Sequence, residues 1–73
     1  MDDQSIITPI VVGDLVRDKY ETNRAFVVLN VLGKAEGVIP MLEIKPLDNL
    51  SGNLVFIDVA DAYSKTSLAE LIL

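Results

Sequence analysis

Asp58 and Asp61 stand three positions apart, with Asp48 upstream, and carboxylates so placed could in principle hold Ca²⁺ or Mg²⁺. A calcium loop of the EF-hand kind also needs alternating oxygen ligands, a central glycine and a closing Glu, and that pattern is missing. The plainer reading makes Asp58 a polar side chain on an exposed strand face, so no metal ligand is assigned. Asp14, Lys19 and Tyr20 form the one neighbourhood where groups able to move protons crowd together. A strand running into a turn produces the same crowding without any chemistry, and no catalytic residue is assigned. Gly33-Lys34-Ala35-Glu36-Gly37 combines glycines with a lysine, but the Gly-Lys-Ser/Thr of a phosphate-binding loop and its following helix are absent. Asn49-Leu50-Ser51 has the form of a glycosylation acceptor, which carries no meaning without a sign of secretion.

The composition removes further classes. There is no His and no Cys among the 73 residues, so disulfides, Cys/His zinc sites, haem ligation, Cys nucleophiles and His-based triads are excluded. No cofactor is expected. Eleven acids against six bases leave a net charge of −5 and a pI near 4.3. Nucleic-acid binding rests on Lys and Arg displacing condensed counterions, and the only basic cluster is Arg17, Lys19 and Arg24. Asp14, Asp18 and Glu21 dilute it. A weak anion or nucleic-acid patch on those three cations is the alternative reading; a mixed, solvated hairpin is the plainer one. No apolar run approaches the ~18 residues of a membrane span, and Met1-Asp2-Asp3 lacks the basic start of a signal peptide. A cytoplasmic protein is therefore expected, and a short acidic accessory protein of this kind suits a phage or a prokaryote.

The elements that must position these residues are short. Residues 1–10 form an arm with Ile6, Ile7 and Ile10 and a Pro9 that cannot donate to a ladder. Residues 11–73 form one small domain. Strands are expected at 11–20 (VVGDLVRDKY), 24–32 (RAFVVLNVL), 38–45 (VIPMLEIK) and 54–59 (LVFIDV), separated by polar or glycine-bearing turns. Pro40 inside the third implies an edge position or a bulge. Residues 60–65 turn away, and Ser67-Leu68-Ala69-Glu70 has the capping-box spacing that opens one or two helical turns. Four or five short strands without a long helix imply a small antiparallel barrel or curled sheet.

Gly13-Asp14-Leu15-Val16-Arg17, followed by an apolar strand and a glycine-flanked loop, resembles the opening of SH3-like small β-barrels. The resemblance implies a mainly β fold, an SH3-like antiparallel barrel of four to five strands with a short C-terminal helical turn, and binding rather than catalysis. The sequence departs from the aromatic-lined members of that class: its aromatics are Tyr20, Phe26, Phe56 and Tyr63, with no Trp. It also departs from the basic, RNA-binding members through its acidity.

Alternation along each strand sorts the side chains into two faces. Ala25, Val27, Leu29 and Val31, with Val38, Pro40, Leu42 and Ile44 and with Val55, Ile57 and Val59, can fill one core. Phe26, Val28, Leu32, Ile39, Met41, Leu54 and Phe56 then fall on a second face that a 73-residue chain has little to cover with: either the Ile6–Ile10 arm and the Leu68–Leu73 tail fold back over it and finish a monomeric two-layer domain, or another subunit or partner completes the burial. Surplus apolar surface of that kind marks association sites. The expected function is a non-enzymatic accessory or structural module that self-associates or docks on a larger protein. Its contact residues are expected to be Phe26, Val28, Met41, Leu54, Phe56, Leu68, Leu71 and Ile72. A one-residue register error would exchange the two face lists but preserve the two-sidedness.

Overall fold

A computed structural model describes residues 9–33 and 35–71. The chain forms five antiparallel strands: β1 (Leu15–Asp18), β2 (Ala25–Leu32), β3 (Met41–Pro46), β4 (Phe56–Val59) and β5 (Tyr63–Thr66). A one-turn helix, α1 (Leu68–Leu71), follows. Short 3₁₀ turns occupy Leu47–Asn49 and Ala60–Ala62. The strands make one open sheet in the order β4-β3-β2-β1-β5. Four strands meander, and the fifth returns to lie beside the first.

The sheet is not the closed barrel expected from the sequence, because no ladder joins β4 to β5. The three residues Ala60–Ala62 carry the chain directly from one edge strand to the other. The edges meet through side chains. The rings of Phe56 on β4 and Tyr63 on β5 both stand edge-on to Phe26, with centroids 6.1 and 5.8 Å away. The Tyr63 hydroxyl donates to Asp58 Oδ2 at 2.9 Å. The sheet therefore curls around Phe26 without completing its hydrogen-bonded circuit.

The first expected strand is shorter than its sequence implied. Gly13 takes a positive φ of 93°, Asp14 N–H donates to the Val11 carbonyl, and Asp14 Oδ2 accepts from Val11 N–H. That turn consumes residues 11–14, and β1 begins only at Leu15. Pro40 lies just before β3 rather than inside it, so β3 is a central strand and not the edge its proline suggested. The Pro40 carbonyl instead accepts from Ala60 N–H at 2.9 Å. Segment 63–66 is a strand where a departing turn was expected. Its Tyr-Ser-Lys-Thr sequence has one apolar residue and is recruited by pairing with β1, from Leu15↔Thr66 to Asp18↔Tyr63.

The inner face of the curl holds Val16, Phe26, Val28, Val31, Leu42, Ile44 and Tyr63, with Ile10, Phe56, Ala60 and Ala62 packed against them. Two cross-sheet rows build it: Val16, Phe26 and Pro46, then Val28, Ile44 and Phe56. Complete burial of Leu42 and Ile44 stabilises the fold by about 1.5–3 kcal/mol each relative to exposure. The expected faces hold for β3, where Leu42 and Ile44 point inward, and are exchanged for β4 and the first half of β2. Phe26 and Val28 are core residues, while Ala25 and Val27 face outward. Between Val28 and Asn30 the ladder skips a residue, so Leu29 is an extra residue on β2. Past that bulge the parity inverts, and Val31 joins Phe26 and Val28 inside.

Candidate interaction surface

The groups with potential chemistry are dispersed by the fold. Asp58 accepts from the Tyr63 hydroxyl and, through Oδ1, from Val59 N–H. Burial pushes the Tyr63 phenol far above its ordinary range, and the bond to Asp58 adds to the shift. Asp14 is held below the usual carboxylate range by the Val11 amide and then by the Lys65 ammonium, 3.2 Å away. Asp18 is lowered by the backbone amides of Tyr20 and Glu21, which both donate to its Oδ1. Tyr20 itself points into solvent, 84% exposed. Among the described residues no group of three or more His, Cys, Asp or Glu is placed to hold a metal ion.

The three cations have different surroundings. Arg17 reaches across the outer face to α1, donating to the Glu70 carbonyl at 3.4 Å, while its Nε is buried without a partner. Arg24 lies over the rings of Phe26 and Phe56, 5.1 and 5.7 Å from their centroids, and pairs with Glu21 at 3.6 Å. Its role is to cap the aromatic cluster. Lys19 lines a concavity described below.

Among the described residues, and apart from Leu50, Leu54, Val55 and Leu68, exposed apolar side chains cluster in two places. The first is the outer face of the sheet. Leu32 and Met41 stand opposite one another on adjacent strands, and Ile57 sits one row along, beside Glu43. Leu29, expelled by the bulge, adds to this patch, and all four are exposed. Helix α1 covers the other end of the same face. The Ser67 hydroxyl accepts from Glu70 N–H, and Thr66 donates to the Glu70 carboxylate. This cap sets the helix so that Leu71 is half-buried in a cleft with Ala25 and Leu47.

The second place is the mouth of the curl. A concavity of about 830 Å³ opens there beyond the last core row, floored by Val31, Leu42 and Tyr63. Its walls are two irregular segments, residues 9–12 and 37–40. Gly13 N–H donating to the Val28 carbonyl anchors the first, and the Pro40–Ala60 bond anchors the second. Val11, Val12, Val38 and Ile39 project from these walls, each 51–59% exposed. Lys19 and Asp61 lie at the same opening and are not paired with one another.

Of the contact residues expected from sequence, Met41, Leu54 and Leu68 are exposed, Phe56 and Leu71 are half-buried, and Ile72 lies outside the described residues. Phe26 and Val28 are 2% and 1% exposed, which removes them from any surface: the core uses the face of β2 that was read as surplus. Leu29 and Ile57, read as core, are on the outside for the same reason. The sequence hides the mouth because residues 11–12 and 38–40 read as strand. The doublets Val11-Val12 and Val38-Ile39 beside Gly13 and Pro40 were the available signal, since neither doublet can place both members in a core. The chain matches no protein-family model, no curated protein and no solved structure. No helix among the described residues is long and apolar enough to cross a membrane.

Proposed function

We propose that this protein is a non-enzymatic accessory or structural module of SH3-like architecture, a barrel left open at one seam, that works by binding protein, in the first place a second copy of itself. The strand order supports the architecture: a four-stranded meander, one 3₁₀ turn, and a last strand returned beside the first. One observation carries the function. The described chain leaves more large aliphatic side chains exposed at the mouth and on the outer face than its inner face buries, and concentrated patches of that kind are rare on monomers and mark association sites. Dispersal of the acid–base groups supports binding over catalysis. Size-exclusion chromatography with light scattering, run over a hundredfold range of concentration, tests the reading. A mass of two or more 8.0 kDa protomers, growing in population with concentration, is expected. A single-chain mass at every concentration overturns self-association.

A further inference from the structure

Resting on that reading of self-association, we infer that the mouth of the curl, and not the outer sheet face, is the surface on which a second copy seats, in a two-fold arrangement that sets each copy's wall segments into the other's concavity. A two-fold interface is formed by one patch meeting itself, so the patch must be its own complement in shape and in charge. The mouth has the parts for both. Its two projecting walls, carrying Val11-Val12 and Val38-Ile39, flank a hollow of about 830 Å³, so each copy offers both ridge and groove. Among the described residues its rim carries one cation, Lys19, and one anion, Asp61, which a two-fold axis through the mouth brings together as two Lys19–Asp61 pairs between copies.

Charge makes this arrangement selective. Two chains of net charge −5 repel at long range, so a contact between them needs local pairing of opposite charge. The outer face serves this purpose less well. Of its apolar residues only Ile57 is as exposed as those of the mouth, Leu29, Leu32 and Met41 being 36–40% exposed; Lys45 on that face is already engaged with the Gly52 carbonyl, and α1 occupies one end of it through Arg17.

The test compares Ile39→Asp at the mouth with Ile57→Asp on the outer face, by light scattering and by sedimentation over the same concentration range. Both side chains are more than half exposed, so both variants should fold, which circular dichroism and thermal melts verify. Ile39→Asp should raise the dimer dissociation constant at least about a hundredfold, since a charge would be buried without a partner, and Ile57→Asp should leave it within about threefold. Val12→Asp is the second mouth variant should Ile39→Asp not fold. A charge exchange isolates the rim: Lys19→Glu should weaken the dimer about tenfold, and adding Asp61→Lys should restore it. Dissociation by Ile57→Asp with an intact Ile39→Asp dimer overturns the mouth as the interface while leaving self-association standing. A wild-type monomer overturns the underlying reading instead. Failure of the exchanged pair to recover overturns the two-fold pairing of Lys19 with Asp61.

Discussion

Tyr63 ties the two ends of the sheet together, and its chemistry reaches the stability of the whole. Its ring packs on Phe26 from the β5 side, as Phe56 does from β4, and its hydroxyl holds Asp58 across the open seam. Tyr63→Phe keeps the ring and removes the bond, leaving a half-buried carboxylate oxygen with one donor fewer. A loss of about 1 kcal/mol is expected, read from urea midpoints at neutral pH. The same residue sets an alkaline limit. Burial raises the phenol's pKa in the folded state, so the native chain keeps it protonated while the unfolded chain ionises near pH 10. The stability Tyr63 contributes is therefore complete below about pH 10 and declines as pH rises beyond it. In Tyr63→Phe the fall in urea midpoint between about pH 9 and 11 should be shallower than in the wild type; an equal fall would place its origin elsewhere.

Among the elements, the bulge in β2 has the widest effect. Val28 pairs with Ile44 and Asn30 with Glu43, so Leu29 has no opposite residue and lies outside the alternation. Deleting Leu29 should preserve every pair and every buried residue of β2, giving a folded protein. The cost should stay below the about 2–5 kcal/mol expected for Leu42→Ala, which empties a fully buried site. Superposable methyl NMR spectra for the core would confirm it, and loss of the Val31 core shifts would refute it. The bulge also explains what could be read from the residues alone. β3 writes its faces plainly, Leu42 and Ile44 alternating with Glu43 and Lys45. β2 does not, because Ala-Phe-Val-Val-Leu carries apolar groups on both sides and an inserted residue leaves no mark in such a run. In β4, Phe56 and Ile57 are both apolar, and only contact with Phe26 selects Phe56. β5 was hidden for the opposite reason: Tyr-Ser-Lys-Thr offers no apolar period, and its partner lies far away in the chain.

At the scale of the molecule, the mainly β architecture and the surplus of apolar surface were legible in composition and strand spacing, whereas the location of that surplus was not. The mouth joins residues 9–12, 37–40 and 60–63, three segments that become neighbours only once the sheet has curled. A chain of 73 residues buries only about 60% of its unfolded surface, so apolar residues at such junctions stay uncovered unless another surface meets them.

The return of the last strand to the first has a consequence for the order in which the molecule assembles. The β1–β2, β2–β3 and β3–β4 ladders are hairpins between neighbours in sequence, but β5 reaches β1 across roughly fifty residues. Closing that long loop costs chain entropy that its four-residue ladder offsets only after the meander exists. The central hairpin should therefore be built before the rate-limiting barrier and β5 should dock after it. In stopped-flow experiments Leu42→Ala should mainly slow folding, and Tyr63→Phe should mainly hasten unfolding. The seam between β4 and β5 would then be the last part of the protein to close and the first to open.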